Sequence, residues 1–482
     1  MTKTSRPLTV TALLLAIFMG AMEATVVGTA MPTIVGELGG LAYYGWVGSA
    51  YLLASTVAVP IYGKLADLYG RKPILIVSTS VFLVGSVACG ATSSIFALIA
   101  ARTVQGLGAG GMQPTALTVV GDLYSVEERG KIQGFFGAVW AVAGIAGPLL
   151  GAFLVHVVSW RAVFLVNVPF GLLSMAVLAR ALEEKRLGVG PVSIDWAGAL
   201  VLTAASVLLL VGAGGNVGAA AAGVLCTVLF VAVERRAKDP ILSLELLALR
   251  PIAVGAVASA LFGAAMMGTL LYVPLYVQGV LGRSPAEAGA AITPMLIGWP
   301  LSSTLTGRLL ARTGFRAPVW VGSVIVAASL VAFVAVVGGS GGVTGGMHVA
   351  MFAYGVGMGI ANTAVLVAVQ SSVGWGRRGV VTATNMFART MGGAMGVGAL
   401  GAVLARRLGA SLSPETVAAV LDPSRRGAAM GTQGAELSAA LARGLAPVFW
   451  ATAALGVVNL GVVAVWPRRL QRASDALPSV TE

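Results

Sequence analysis

The sequence predicts an all-helical, multi-pass membrane protein: two six-helix bundles plus two inserted helices, fourteen spans in total, with both termini in the cytoplasm. Three observations predict it. The first is composition: of 482 residues, 57% are hydrophobic and only 10% charged, with a mean hydropathy of +0.91. A soluble chain of this length needs far more charge to cover its surface. The second is segmentation into apolar runs of roughly 20 residues, the length that crosses about 30 Å of hydrocarbon. The third is an internal repeat. Gly63-Lys64-Leu65-Ala66-Asp67-Leu68-Tyr69-Gly70-Arg71-Lys72 recurs 244 residues later as Gly307-Arg308-Leu309-Leu310-Ala311-Arg312-Thr313-Gly314-Phe315-Arg316.

The runs place spans near 8–35, 43–66, 74–93, 94–121, 132–157 and 160–181, then an inserted pair near 194–213 and 217–234. Six more follow near 251–279, 286–310, 318–338, 345–373, 380–405 and 445–466. Gly39-Gly40, Gly338-Gly339 and the prolines at 251, 285 and 318 punctuate them, as turn and helix-start residues do. Lys3 and Arg6 before an apolar stretch imitate a secretory leader, but the run continues to about Val35 without a cleavage pattern and reads as an uncleaved first span. The 65 glycines suit close helix packing in lipid.

Orientation follows from the basic residues. With the N-terminus inside and loops alternating, 22 of the 31 Lys and Arg fall on the inner side and 7 outside, with Arg102 and Arg389 left within spans. This asymmetry is the positive-inside signal and requires an even number of spans. The organisation is then a first bundle over 1–185, an inserted pair with its linker over 186–244, a second bundle over 245–466, and a polar tail over 467–482. The segment 406–444 reads as one long outer loop with a short surface helix starting at Ser413-Pro414-Glu415.

Composition also excludes several classes. The net charge of +13 sits in short loops and forms no continuous stripe, so nucleic acid is not a partner. Cys89 and Cys226 lie in apolar runs with no disulfide or metal pattern. His156 and His348 read as helix-end residues. Gly106-Leu107-Gly108-Ala109-Gly110-Gly111 matches a dinucleotide fingerprint but follows no strand. No nucleotide-binding loop, nucleophile–base pair or metal cluster is present, so no enzyme, cofactor or metal is expected, and any uphill work must draw on a gradient.

Two groups carry a cost that points to function. Glu23 lies near the middle of the first span, where an acid facing lipid costs roughly 2.5–3.5 kcal/mol. It must face the interior, be partnered, or be protonated. Burial disfavours its anion, which suits a group that takes and releases protons. Arg102 keeps its proton and needs an anion or several carbonyls, and Glu23 is the one acid well inside a span. Gly144, Gly147, Pro148 and Gly151 form a bend: proline removes an N–H, and the glycines leave room for a close neighbour. Gln113, Tyr272, Tyr276, Gln278, Trp299, Asn362, Gln370, Asn385 and Arg389 are polar or aromatic groups within spans and form a candidate substrate wall. The glycines of the fourth span, Gly106 and Gly108, also have counterparts in Gly355, Gly357 and Gly359 of the twelfth. Weak internal symmetry of this kind marks secondary transporters, with the substrate site between the halves.

On these residues the chain resembles the major facilitator superfamily, in its fourteen-helix drug:proton antiporter branch, over nearly its whole length. The resemblance rests on Gly63 to Lys72, Arg102-x-x-Gln105-Gly106-x-Gly108, Gly144-x-x-Gly147-Pro148-x-x-Gly151, Glu23-Ala24-Thr25-Val26-Val27 with Ala30-Met31-Pro32, and Tyr272-Val273-Pro274-Leu275-Tyr276. It implies that Glu23, Arg102 and Gln105 couple transport to protons; the family more often carries Asp at the position of Glu23. It implies that Gly63, Asp67, Gly70, Arg71 and Lys72, with Asp122 and Arg129, form a cytoplasmic gate. There Asp67 would meet the start of helix thirteen near Gly379, and Arg71 could pair with Asp122. The Gly144–Gly151 motif accompanies antiport in related proteins. The expected function is proton-coupled efflux of lipophilic drugs or similar molecules across the cytoplasmic membrane, hence antibiotic resistance, by a monomer in the lipid bilayer. A dedicated exporter of one metabolite, lipid or natural product fits the same fold. A non-transporting receptor or scaffold fits less well, since it gains little from charges inside spans.

Overall fold

A computed structural model describes residues 4–39, 43–184, 195–237, 240–340, 345–409 and 423–467. The first half contains α1 (Arg6–Leu38), α2 (Tyr44–Tyr69), α3 (Arg71–Ala91), α4 (Ile95–Leu123), α5 (Val126–Val157), the single turn α6 (Ala162–Leu165) and α7 (Asn167–Ala181). The inserted pair is α8 (Trp196–Ala213) and α9 (Val217–Glu234), followed by the short α10 (Leu244–Ala248). The second half contains α11 (Arg250–Gly279), α12 (Pro285–Thr313), α13 (Arg316–Ser340), α14 (Gly345–Ser371), α15 (Arg378–Gly409) and α16 (Pro423–Ala464). Arg6, Arg71, Arg250, Arg316 and Arg378 each start a helix at one end of the bundle, called here the basic end.

Local chemistry sets the boundaries. Ser94, Asp195 and Asn216 accept hydrogen bonds from the first turns of α4, α8 and α9, and full capping boxes, Ser125 with Glu128 and Ser284 with Glu287, open α5 and α12. Such caps satisfy N–H groups that lipid cannot. Gly70, between α2 and α3, has φ of +98°, in the left-handed region where a side chain is disfavoured.

Among the described residues, twelve helices are long and apolar enough to cross a membrane, and the bent α5 makes a thirteenth. The expected fourteenth, α12, is 29 residues long, but Thr293, Ser302, Ser303, Thr304 and Thr306 dilute its apolar character. It packs between α5 and α14, so protein takes much of the place of lipid around it. The sixth span predicted over 160–181 is present as Ala162–Ala181; Val166, between α6 and α7, keeps helical φ and ψ. The outer loop predicted over 406–444 is a correction: α15 runs to Gly409 and α16 begins at Pro423. The predicted start at Ser413-Pro414-Glu415 and the tail from residue 468 lie outside the described residues.

Packing repeats between the halves. In the first, α1 packs on α5 and α7, while α2 and α3 pack on α4; in the second, α11 packs on α15 and α16, while α12 and α13 pack on α14. The glycine register explains the match. A Cβ at Gly106 or Gly110 would lie 2.4 or 2.3 Å from the carbonyls of Tyr51 and Ser55 in α2, and one at Gly108 would lie 2.2 Å from the Phe82 nitrogen in α3. Gly355 and Gly359 stand 2.2 and 2.4 Å, measured the same way, from the carbonyls of Met295 and Trp299 in α12, and Gly357 faces α13. In each half, glycines at i and i+4 admit one neighbour and the glycine between them admits the other. Backbone contact this close needs small residues. The hairpin α8–α9 lies beside α2 and α15.

The two halves meet through paired glycines at the basic end. A Cβ on Gly63 of α2 would lie 2.9 Å from the Gly379 carbonyl of α15, and one on Gly130 of α5 would lie 2.3 Å from the Gly307 nitrogen of α12. The repeated frame therefore supplies both cross-half contacts, one from each copy. Gly307→Val should cost about 1–3 kcal/mol by overpacking, because its Cβ would stand 2.0 Å from the Glu127 carbonyl. The expected result is a clear fall in melting temperature of the purified protein. Gly289→Ala on the same helix, with nothing within 4 Å, should leave it unchanged; equal melting of the two variants would refute the contact.

Candidate functional site

Two charged clusters are buried in the first half. The deeper one is built on Glu23 and Arg102, exposed by only 2% and 3%. Glu23 Oε1 pairs with Arg102 Nη1, and its Oε2 accepts a 2.6 Å hydrogen bond from Asn167 Nδ2. Arg102 also donates to Gln105 Oε1 at 2.6 Å and to the Val47 carbonyl at 3.1 Å. Gln105 in turn donates to Ser86 Oγ at 2.8 Å. The Tyr51 ring lies 4.3 Å from the guanidinium carbon, a cation–π distance. Five elements converge here: α1, α2, α3, α4 and the start of α7.

Asn167 is the first residue of α7, and its carboxamide also donates to the Phe164 carbonyl of α6 at 3.3 Å. It thus ties the first turns of the sixth span to Glu23. Sequence reasoning found Glu23, Arg102 and Gln105 but missed Asn167, Ser86 and Tyr51. Asn167-Val168-Pro169 inside an apolar run was the signal available for the first. No sequence pattern marks the other two.

The bend motif adjoins this cluster. The two parts of α5, Val126–Gly144 and Leu149–Val157, meet at 46°. Thr25, two residues beyond Glu23, donates to the Ala143 carbonyl at 3.0 Å. A Cβ at Gly147 would lie 2.1 Å from Thr25 Oγ1, so only glycine lets α1 approach there. Gly144 faces the other half, with Leu296 of α12 3.8 Å from its Cβ position. Gly151 is buried. The side chain of Pro148 lies outside the described residues, although its backbone continues the helix.

The second cluster lies at the basic end. Asp67 accepts from the backbone N–H groups of Gly379 and Val380 at 2.9 and 2.8 Å. Its carboxylate caps the start of α15 in the other half, where the helix dipole favours an anion. Arg71 bridges Asp67 at 2.9 Å, Asp122 at 3.0 Å and the Trp375 carbonyl at 2.7 Å, and it stacks 3.8 Å from the Trp375 ring. Trp375 sits in a 3-10 turn, Trp375–Arg377, directly before α15. Asp122 also pairs with Arg378 at 3.1 Å. Arg129 reaches the carbonyls of Gly121 and Tyr124.

Lys72 points elsewhere, donating to the Ala179 carbonyl at 2.7 Å. Two further members were missed. Arg378 precedes Gly379 as Arg129 precedes Gly130, a match visible once the repeat is extended. Glu184 accepts from the backbone N–H groups of Arg71 and Lys72 at 2.7 and 2.9 Å, supplying the cap that α3 lacks. A Cβ at Gly70 would meet Glu184 Oε2 at 2.7 Å, a second reason for glycine there. A cavity of about 340 Å³ lies among Arg71, Asp122, Glu184 and Trp375.

The proposed substrate wall divides. Gln370 donates to the Leu117 carbonyl and to Thr382 Oγ1, both at 3.1 Å, so it joins the seal between halves. Asn385 clamps α15 to α11 through the Gly255 carbonyl and Ser259. Tyr272 donates to the Val397 carbonyl at 3.0 Å, and Tyr276 packs edge-on against Phe449. Among the described residues, Gln113, Gln278, Trp299, Asn362 and Arg389 make no side-chain hydrogen bond, and no group of His, Cys, Asp and Glu is placed to hold a metal.

Known proteins share this architecture. The sequence profile of the Major Facilitator Superfamily matches residues 13–397. The chain is 34% identical over 426 residues to the multidrug transporter protein MdtP of Bacillus subtilis (strain 168), covering 86% of this chain and 78% of that one. It is 37% identical over 315 residues to multidrug resistance protein 3 of the same organism, covering 63% and 61%. The crystal structure of the human organic anion transporter MFSD10 (TETRAN) superposes with a TM-score of 0.64 at 16% identity, over 96% of this chain and all of that one. This chain is a multi-pass membrane transporter, not an enzyme, and it belongs to the major facilitator superfamily.

Proposed function

We propose that the protein exports lipophilic, drug-like molecules across the cytoplasmic membrane in exchange for protons, as a fourteen-span monomer with the basic end in the cytoplasm. The observation that carries this reading is the Glu23–Arg102 pair, a carboxylate and a permanent cation with no bulk water around them. The relatives named as multidrug transporters support the export half of the reading.

With the basic end inside, the seal at Asp67, Gly63 and Gly307 closes the cytoplasmic side, and the substrate path faces outward. A proton arriving from outside neutralises Glu23. Arg102 then keeps its contacts with Gln105, the Val47 carbonyl and Tyr51 but loses its anion. Leaving a buried charge without its partner costs about 3–5 kcal/mol. That is enough to favour a rearrangement in which α1 and α4 shift and Arg102 finds other partners. The shift reaches α5 through Thr25 and Gly147, and α5 carries one of the two cross-half contacts. Opening to the cytoplasm loads substrate and lets Glu23 lose its proton; re-pairing with Arg102 closes the cycle. Each proton crossing 100 mV contributes about 2.3 kcal/mol, roughly a 50-fold concentration ratio.

Glu23→Gln keeps the hydrogen-bonding shape and removes titration. It should abolish uphill efflux of a fluorescent substrate from everted vesicles while substrate binding persists. Undiminished proton-driven efflux by this variant would sink the coupling role. Asp67→Asn weakens the cap on α15 and should slow turnover at least tenfold, while a cysteine placed beside Gly379 reacts faster with a thiol reagent added from the cytoplasmic side. A rate of labelling equal to that in the Asp67 background would remove the latch.

A further inference from the structure

The second half carries a cation that has no anion beside it among the described residues. Arg389 lies about three turns into α15, roughly 17 Å from the basic end, deep within a hydrocarbon core about 30 Å thick. Its side chain is half-buried. Among the described residues it makes no hydrogen bond, ion pair or ring contact. The buried arginines, and the half-buried Arg378, differ. Arg102 has Glu23, Arg71 has Asp67 and Asp122, Arg378 has Asp122, and Arg129 has two carbonyls.

Acids are scarce in the second half, and the described Glu245 and Glu436 are exposed, with no ion pair to Arg389. No Asp or Glu occurs from residue 288 to residue 414, and α11 contains none. Glu287, at the far end of α12, is engaged by its own capping box and by Arg283. A guanidinium does not give up its proton, and an unmatched charge at this depth is expensive. Phospholipid phosphates lie near the edge of the hydrocarbon, about half its thickness away, beyond what a side chain several ångströms long can span. An anion that travels through the middle of the protein meets the requirement.

We infer that Arg389 binds an anionic group of the cargo, so the exported molecules are lipophilic bodies bearing a carboxylate, sulfonate or phosphate. This rests on the export reading above and narrows its substrate class. It also sets the energetics: a proton moving in and a monoanion moving out both carry positive charge inward, so export of an anion responds to membrane voltage twice as strongly as export of a neutral analogue.

Three probes with one aromatic body separate the possibilities: pyrene-1-butanoate, its uncharged methyl ester, and a pyrenebutyl trimethylammonium cation. Binding to the purified full-length protein is read by fluorescence, and uptake into everted vesicles by the same signal. The anion should bind at least tenfold more tightly than the cation. Arg389→Gln should remove that preference, and Arg389→Lys should keep most of it. Both variants should melt within a few degrees of the wild type, since no internal contact is lost. Anion affinity unchanged in Arg389→Gln overturns the inference, as does a wild-type preference for the cation. Loss of stabilisation by added phosphatidylglycerol in Arg389→Gln, with anion binding intact, assigns the arginine to a lipid headgroup and also overturns it. Anion binding that depends on Arg389, with uptake indifferent to the proton gradient, upholds the anion site and refutes proton-coupled export.

Discussion

Hydrocarbon offers no counter-ion, so every charge carried into it must be matched by the protein itself or by something the protein holds. The first half obeys this at two depths, through Glu23 with Arg102 and through Arg71 between Asp67 and Asp122. Each pair is surrounded by neutral donors and acceptors that complete its hydrogen bonding. Asn167 and Gln105 do this for the deep pair, and the backbone at the start of α15 does it for Asp67. The charges are few, and each has a geometric task.

The glycines perform the complementary task of bringing backbones together. Their repetition in both halves gives two cross-half contacts of the same kind, Gly63 with Gly379 and Gly130 with Gly307. The arginine before Gly130 and before Gly379 is repeated, but the acid and its partner in the frame are not. Where the first copy has Asp67 and Arg71, the second has Ala311 and Phe315. One contact therefore carries buried charge and the other does not. In the proposed cycle this asymmetry suits rocking: the charged contact acts as the latch, while the α5–α12 contact can separate without leaving a charge unmatched.

Sequence exposed the charged pairs because acids and arginines in apolar runs are rare enough to leave few partners. Glu23 and Arg102 found each other by elimination, and Arg71 with Asp122 by depth. Neutral participants stayed hidden. Asn167 acts because its helix brings it against Glu23 of α1, and a neutral amide in an apolar run does not reveal which neighbour it faces. Gln370 resembled a substrate group because polar residues within spans look alike until their neighbours are known; its partners are Leu117 and Thr382, across and beside the seal. Glu184 was invisible for another reason. It caps a helix more than a hundred residues earlier in the chain, and capping signals are readable only when local. The boundaries around α15 and α16 failed because glycine- and alanine-rich helix outside the hydrocarbon resembles loop in composition.

α2 and α4 carry members of both charged clusters, and α5 links the deep one to the second cross-half contact. Near its middle Gly147 admits Thr25, and so lies within a turn of Glu23; near its start Gly130 lies against Gly307. The 46° bend falls between Gly144 and Leu149, so a small change in the bend moves the end of the helix much further than its middle. A 32-residue helix is about 48 Å long, and a few degrees at the bend displace its start by one or two ångströms. Contacts between glycine backbones have no flexible side chain to absorb such a shift; they hold or separate. In the proposed cycle, protonation at Glu23 reaches the seal without a continuous chain of charges, because one bent helix touches both and the seal is built from atoms that cannot give way.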